Sequence, residues 1–317
     1  FEMEANLFSQ EKNTSTEKMV STVYYRFLND DVKYLSEKKN AKEALRTKVQ
    51  WVSFKQQFFS FTLISDLGFQ SADVEVFNDE YIRDEDYLRT MKSVMTLPIE
   101  KFDQTIPLSL YVGPNKYKTM RSYDLELEKQ IPLGWSFFLL AWINRYAVIP
   151  VFNFLESFNL SYGIIILILT ILLKIVLLPI AYKTYISSAR MKVLKPEIDI
   201  INKKFPKKED AMKKQQATMD LYKKAGVSPM SGCLPMLLQF PILIAMFRFF
   251  PASIELRQKS FLWASDLSTY DSILDLPFTI PFYGDHVSLF TLLMTVSTII
   301  YTRMNSQNMA SSNQMPG

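Results

Sequence analysis

Residues 162–181 read YGIIILILTILLKIVLLPIA, and this stretch decides the class of protein. As a helix these 20 residues would be about 30 Å long, which matches the hydrocarbon core of a bilayer. One cation, Lys174, lies inside the apolar run, where a charge costs roughly 2.5–3.5 kcal/mol on insertion scales. A charge inside a predicted membrane span indicates a functional residue, and the alternative is a lysine that snorkels towards the cytoplasmic head groups.

Composition divides the 317-residue chain into two unlike parts. Residues 1–130 carry 18 Lys/Arg and 21 Asp/Glu, whereas long apolar runs begin near residue 132. With one cysteine and one histidine, an intrachain disulfide is excluded and a metal cluster or a Cys–His catalytic pair is disfavoured. Because the chain starts at Phe1 and ends in a polar tail, we expect a fragment or processed form of a longer protein.

Residues 1–130 are expected to form an antiparallel β-sandwich outside the membrane. Segments 49–64, 72–77 and 106–112 are rich in aromatic and β-branched residues or alternate between apolar and polar residues. Such strands are typical of a sandwich. The charged segment 29–48 between them is compatible with a short helix.

The rest of the chain has the pattern of a membrane protein, so the fold class is a multi-domain α+β membrane protein. Aromatic residues dominate residues 134–158, which favours a helix in the membrane interface, with a spanning helix as the alternative. We predict, in order, an interfacial amphipathic helix at 131–159, a transmembrane helix at 160–182, a cytoplasmic helical hairpin at 183–228, a transmembrane helix at 229–251, a periplasmic loop at 252–286, a transmembrane helix at 287–303 and a cytoplasmic tail at 304–317.

Loop charges give the topology of this transmembrane bundle. Residues 183–228 hold 12 Lys/Arg and 5 Asp/Glu, a net charge of +7, whereas residues 252–286 hold 2 Lys/Arg and 5 Asp/Glu. The positive-inside rule places the first loop in the cytoplasm, and the β domain and the second loop outside. The basic hairpin is either a solvated loop or a docking surface for lipid head groups, ribosomal RNA or an acidic protein. The lysines of this docking surface are Lys203, Lys204, Lys207, Lys208, Lys213 and Lys214.

Residues 231–242, SGCLPMLLQFPI, resemble the Gly-Cys-x-Pro-x-x-x-Gln-x-Pro signature of YidC-type membrane protein insertases. Residues 253–267, 190–197 and 111–114 are similar to other stretches of that family. The resemblance implies a periplasmic β-sandwich, of which residues 1–130 would be the C-terminal part, an interfacial helix and a helical bundle with a hydrophilic groove. It also implies a multi-pass protein of the bacterial inner membrane that inserts and folds nascent membrane proteins. Such proteins work alone or with the Sec translocon and use no nucleotide and no metal, so the resemblance implies no enzymatic activity and no cofactor. The basic hairpin would receive ribosomes, targeting factors or anionic lipids.

Two departures from the family pattern bear on the site. The groove cation of the family is usually Arg, whereas this chain has Lys174, which keeps the charge and loses the planar fork. The family bundle also has two further C-terminal spans and, in diderm bacteria, an N-terminal span. These spans lie outside the 317 residues, so we expect missing segments to complete the groove.

The hypothesis for the site is a wet, positively charged groove that attracts acidic residues of a client. A water-filled path matters because an unsatisfied polar group in hydrocarbon costs several kcal/mol. The groove residues are predicted to be Lys174, Thr170, Gln239, Thr295 and Thr298, and the client exit face Pro235, Phe240 and Pro241. Two other classes remain open: a membrane transporter or channel, and a structural scaffold subunit of a translocon assembly.

Overall fold

The computed structural model of the protein describes residues 1–98, 105–133, 138–206, 210–226, 234–281 and 283–309. It divides into two compact units. The first unit comprises Phe1–Trp135, Phe247–Lys259 and Asp266–Thr269, and the second comprises Ser136–Met246, Ser260–Ser265 and Tyr270–Gly317.

In the described residues of the first unit, nine antiparallel strands form two sheets. The strands are β1 (Glu2–Phe8), β2 (Thr22–Phe27), β3 (Val32–Tyr34), β4 (Ala41–Leu45), β5 (Val49–Lys55), β6 (Phe59–Phe69), β7 (Ser71–Phe77), β8 (Tyr87–Thr96) and β9 (Leu108–Pro114). One sheet has the order β1-β8-β7-β4 and the other the order β3-β2-β5-β6-β9. Two short helices, α1 (Thr14–Val20) and α2 (Tyr117–Arg121), accompany them.

Apolar side chains from both sheets form one core, as in a sandwich. Strand β7 shows the pattern most clearly, because Ala72, Val74 and Val76 are buried and their neighbours are only partly buried. Val52 and Leu63 of the five-stranded sheet belong to the same cluster. The antiparallel β domain predicted for the N-terminal part of the chain is therefore confirmed.

The second face of the five-stranded sheet is also covered. Trp51 is fully buried there, and its indole Nε1 donates a hydrogen bond to the carbonyl of Leu125 at 3.0 Å. Met120 and Leu127, from the segment that follows β9, are fully buried as well. This sheet thus has apolar contacts on both sides, which explains the continuous aromatic pattern of residues 49–64.

The prediction of a short helix in residues 29–48 was wrong, because the structure has strands β3 and β4 there. Each is an edge strand with one partner, β2 for β3 and β7 for β4. The charged side chains Lys42 and Glu43 are exposed on β4. Charges are common on edge strands because they block pairing with other chains, so the polar composition is compatible with strand.

Helices dominate the second unit. They are α3 (Phe138–Ile143), a π-helical segment (Asn144–Val148), α4 (Ile149–Glu156), α5 (Tyr162–Val193), α6 (Lys195–Lys204), α7 (Ala211–Lys224), α8 (Leu234–Ala252) and α9 (Leu289–Met309). A two-stranded hairpin of β10 (Leu274–Ile280) and β11 (Gly284–Val287) precedes α9. The last residues of α8, from Phe247 onward, belong to the first unit.

One helix in the described ranges is long and apolar enough to cross a membrane, over Tyr162–Ser187 with a mean hydropathy of 3.0. The shorter apolar stretches Gln239–Ala252 and Leu289–Met304 lie within α8 and α9. Helix α5 contains Pro179 and continues beyond residue 182 to Val193. The helix therefore carries the chain from the apolar run into the basic segment without a break, and the spans predicted at 229–251 and 287–303 stay predictions.

Candidate functional site

Lys174 lies on the surface of α5 among apolar side chains. It is exposed, as are Ile175 at 57% and Val176 at 70%. Thr170, four residues earlier and therefore on the same face of the helix, is exposed too. The cation and one predicted groove hydroxyl are thus neighbours within the apolar run of the helix.

The three predicted groove threonines share one conformation, in which the hydroxyl bonds back to its own helix. The Oγ1 of Thr170 donates to the carbonyl of Ile166 at 2.8 Å. The hydroxyls of Thr295 and Thr298 donate to carbonyls one turn earlier, at 2.9 and 2.7 Å. Each oxygen keeps acceptor capacity for water or a client group.

Thr295 and Thr298 lie together in a shallow groove along α9. Its lining consists of Met294, Thr295, Thr298, Ile299, Thr302 and Arg303. This lining, in the part of the chain that the structure describes, does not include Thr170, Lys174 or Gln239. The structure therefore groups the two α9 threonines with Arg303, and the single groove predicted for all five residues stays a prediction.

The predicted client exit face lies on α8. The Phe240 side chain is 56% exposed, and Gln239 and Pro241 beside it are partly buried. Leu237 and Leu243, one turn to either side of Phe240, are 62% and 58% exposed. The exposed residues form an apolar stripe at helical spacing. The Pro235 side chain, and residues 231–233 of the signature, lie outside the described residues.

The described lysines of the docking surface lie on either side of the connection between α6 and α7, which contact each other. Lys203 and Lys204 are exposed in the last turn of α6, and Lys204 Nζ lies 5.8 Å from the centre of the Phe205 ring. Lys213 is exposed at the start of α7 and its Nζ is 3.3 Å from Asp210. Lys214 is partly exposed, and Lys207 and Lys208 lie outside the described residues.

A buried amide that the sequence interpretation did not single out joins two helices of the second unit. Asn144 is fully buried, and its Nδ2 donates to the carbonyl of Ala245 in α8 at 2.9 Å. It begins the π-helical segment, in which the Ile149 amide donates to the Asn144 carbonyl. Pro150 explains the wider turn, because it lacks an N–H and clashes with an α-helical neighbour. The signal available in the sequence was the amide side chain of Asn144 within a segment rich in aromatic residues.

A second missed cluster lies at the start of α9. The carboxylate of Asp271 accepts hydrogen bonds from Trp263 Nε1 at 2.9 Å, from the Phe290 amide at 3.0 Å and from the Ser288 hydroxyl at 2.5 Å. Burial favours the neutral acid, but these donors outweigh it and hold the pKa of Asp271 below its ordinary value. Asp271 therefore ties the preceding loop to the positive end of the helix dipole.

Charged groups also lie inside the first unit. Lys55 is 1% exposed and its Nζ donates to the carbonyl of Val20 at 3.0 Å. Burial lowers the pKa of Lys55 to about 8, although the nearby Glu37 carboxylate opposes this. Arg257, from the segment after α8, forms a 2.6 Å ion pair with Glu11. The first unit thus includes polar contacts, of Lys55 and of Arg257, that neither sequence pattern nor composition indicates.

Comparisons with known proteins match both units. A family model described as 60Kd inner membrane protein matches residues 154–316, and one described as YidC periplasmic domain matches residues 5–146. The fold and these matches define an inner membrane protein with a periplasmic-type β domain.

Several curated proteins named membrane protein insertase YidC are similar to the chain. The protein from Parabacteroides distasonis is 45% identical over 99% of this chain and 51% of its own length. Those from Bacteroides fragilis and Porphyromonas gingivalis are 48% and 43% identical, over 94% and 93% of this chain and 48% and 49% of their own lengths. The chain belongs to the YidC family of membrane protein insertases. This family is named for insertion rather than for catalysis. The chain spans about half the length of these relatives.

Proposed function

We propose that the protein, as part of a multi-pass inner membrane insertase, helps newly made proteins enter and fold in the membrane, alone or beside the Sec translocon. In this proposal the β domain lies in the periplasm and the basic hairpin in the cytoplasm. Support comes from the YidC relatives and from the loop charges, with a net +7 over residues 183–228.

The observation that carries the mechanism is the exposed cation of α5. A lysine on the surface of an apolar helix is stable only where water or a counter-charge reaches it. At 4 Å, a carboxylate and an ammonium attract by roughly 4 kcal/mol at an effective dielectric constant of 20, against about 1 kcal/mol in water. Lys174 would therefore attract an acidic residue of a client that is leaving water. Thr170 on the same face would hold water beside it.

The client's apolar segment would leave along the exposed stripe of α8 that contains Leu237, Phe240 and Leu243. Lipid tails are as apolar as a client helix, so the helix can exchange its contacts with this surface for contacts with lipid at little cost. The exit step therefore needs no energy source. This separates the polar task, assigned to Lys174, from the apolar task, assigned to α8.

The test is insertion of a single-spanning client with an acidic translocated tail into vesicles that hold the full-length protein. Lys174→Arg keeps the charge and should keep insertion, whereas Lys174→Glu should lower it at least tenfold. Lys183→Glu is the matched control, because it reverses an exposed charge on the same helix outside the apolar run. A client with a neutral tail should respond much less to Lys174→Glu. Unchanged insertion of the acidic client by Lys174→Glu would refute the role of Lys174.

A photo-activated crosslinker at Phe240 addresses the class of protein. An insertase should trap nascent membrane proteins there, whereas a scaffold would trap stable subunits and a transporter would trap neither. No described feature favours the transporter or scaffold.

The hairpin lysines extend the proposal to partners. Lys203, Lys204 and Lys213 place positive charge at the tip between α6 and α7, which suits an anionic surface such as a ribosome or an anionic lipid layer. Binding should fall steeply with salt concentration. Salt-independent binding of ribosomes and of anionic vesicles would contradict this docking role.

A further inference from the structure

The last turns of α8 are packed within the unit that contains the β-sandwich. Helix α8 extends from Leu234 to Ala252, and Phe247–Lys259 belongs to the first unit. Phe249 and Ala252 are buried, and Leu256, in the 3₁₀ turn that follows, is fully buried. The end of α8 and the turn after it are therefore part of the packed first unit.

A hydrogen bond fixes the end of α8 to the turn between β5 and β6. Nε2 of the buried Gln57 donates to the Pro251 carbonyl at 3.0 Å. That turn is itself held by Asn115, whose Nδ2 donates to the carbonyls of Gln56 and Gln57 at 3.0 and 3.2 Å. The last four carbonyls of a helix lack partners within the helix, so Gln57 satisfies one of them from the β domain.

Arg257 makes a second connection, just after the 3₁₀ turn. Its Nε lies 2.6 Å from Glu11 Oε1, in an ion pair whose side chains are 20% and 11% exposed. Its guanidinium carbon lies 5.4 Å from the centre of the Phe59 ring, within the range of a cation–π contact. Because both charges are largely shielded from solvent, salt screens this pair less than an exposed one. Gln57 and Arg257 thus hold the chain on the two sides of the turn.

The held end of α8 belongs to the same helix as the predicted client exit face. Phe240 precedes Pro251 by eleven residues, which is roughly 16 Å along a helix. The helix continues through Pro241 without a break. A rigid element of this length passes a restraint from one end to the other. Releasing Pro251 and Arg257 would therefore let the exposed stripe around Phe240 adopt more orientations.

We infer that the β domain fixes the C-terminal end of α8 through Gln57 and Arg257, and that Arg257 is a positioning residue for client exit along the α8 stripe. This role rests on the proposed function, since Arg257 acts on the exit surface only through the helix. A stripe with many orientations presents the productive one for a smaller fraction of the time. Clients held in the groove near Lys174 would then reach the stripe less often.

The first measurement tests the restraint, with the full-length protein in vesicles and Cys233→Ser to remove the native thiol. Spin labels at Phe247→Cys on α8 and Val94→Cys on β8, both at exposed positions, report the distance between the helix end and the sandwich. Arg257→Glu should broaden the distribution of this distance at least twofold, because two carboxylates would then face each other.

Lys42→Glu is the matched control, since it breaks the 3.0 Å ion pair of Lys42 with Glu75 in the same unit without touching residues 247–259. Its distance distribution should match the wild type. An unchanged distribution in Arg257→Glu, or equal broadening in Lys42→Glu, would overturn the inference.

The second measurement separates positioning from general stability. Photo-activated crosslinkers at Phe240 and, in a separate protein, at Thr170 trap a single-spanning client with an acidic tail. Arg257→Glu should lower trapping at 240 at least threefold and leave trapping at 170 unchanged. The charge swap of Glu11→Arg with Arg257→Glu should restore at least half of the lost trapping at 240.

The contrary outcomes differ in what they refute. Equal loss at 240 and 170 would mean a general loss of folded protein, and the positioning role would fail. Unchanged trapping at 240, or no recovery in the charge swap, would also refute it while leaving the proposed function intact. A wild-type protein that traps no client at either position would refute the proposed function, and the positioning role with it.

Discussion

Even a methyl group at position 163, in the first turn of α5, is expected to clash with neighbouring atoms. A Cβ built on Gly163 would lie 2.0 Å from Cδ2, 2.1 Å from Cγ and 2.7 Å from Cβ of Phe261. Rotation of the ring cannot relieve the contact with Phe261 Cβ. The Phe261 backbone is held by two hydrogen bonds with Ala264, at 2.9 and 3.0 Å. The space at Gly163 is therefore required by packing.

Two effects of Gly163→Ala oppose each other. Alanine is better than glycine in a helix by about 1 kcal/mol. Overpacking in a fitted contact costs roughly 1–3 kcal/mol, and contacts near 2 Å lie at the severe end of that range. We therefore expect Gly163→Ala to lower the free energy of unfolding by about 1–2 kcal/mol net.

The measurement is unfolding of the full-length protein by SDS titration in mixed micelles, as a double-mutant cycle with Phe261→Ala. Removing the ring leaves only the 2.7 Å contact with Cβ, and the gain in helix propensity offsets the cost of that contact, so Gly163→Ala should be close to neutral in the Phe261→Ala background. A coupling energy of at least about 1 kcal/mol is expected for residues in contact. Stabilisation by Gly163→Ala alone, or an equal loss in both backgrounds, would refute this packing account.

Two further predictions concern titratable groups. Lys55→Met should raise the unfolding free energy at pH 7 by about 1–3 kcal/mol, because it removes a buried ammonium. Between pH 8 and 10.5 the Lys55 side chain binds fewer protons in the folded than in the unfolded protein, so the unfolding free energy of the wild type should rise across that window. SDS titrations over this range should show that this rise is absent in Lys55→Met. Asp271→Asn should lower stability by about 1–3 kcal/mol at neutral pH, since it weakens charge-assisted hydrogen bonds. The folded-state pKa of Asp271 lies below 3.8, so the difference between the two proteins should shrink as pH falls below that value, and a pH-independent difference would contradict the assignment.

Local patterns predicted the elements that bury one face or form long apolar runs. Alternation over residues 72–77 predicted β7, and the apolar run at residues 162–181 predicted the core of α5. Residues 29–48 were misread because edge strands expose charges that also suit a helix. Helix α5 continues through polar residues to Val193, beyond the predicted span, because hydropathy marks where lipid could end and not where the helix ends.

The candidate site was less predictable because its contacts join distant parts of the chain. Lys174 stands out in sequence, since a charge in an apolar run is rare. The bond from Asn144 to Ala245 crosses 101 residues, and the Gly163–Phe261 contact leaves no periodic signal. The sequence thus indicates which polar residues lie in apolar segments, where burial costs free energy. The long-range contacts, such as that of Asn144 with Ala245, are seen only in the structure.

The ion pair between Arg257 and Glu11 joins residues that are 246 positions apart, within one β-sandwich unit. Synthesis runs from the N-terminus, so the sandwich begins to fold long before its last segment exists. It can be completed only after α5, α6 and α7 have been made and, in the proposed topology, only if residue 257 emerges on the same side of the membrane as residue 11. Closure of the ion pair would then serve as a checkpoint on biogenesis, because a chain inserted in the wrong direction would leave Glu11 without Arg257.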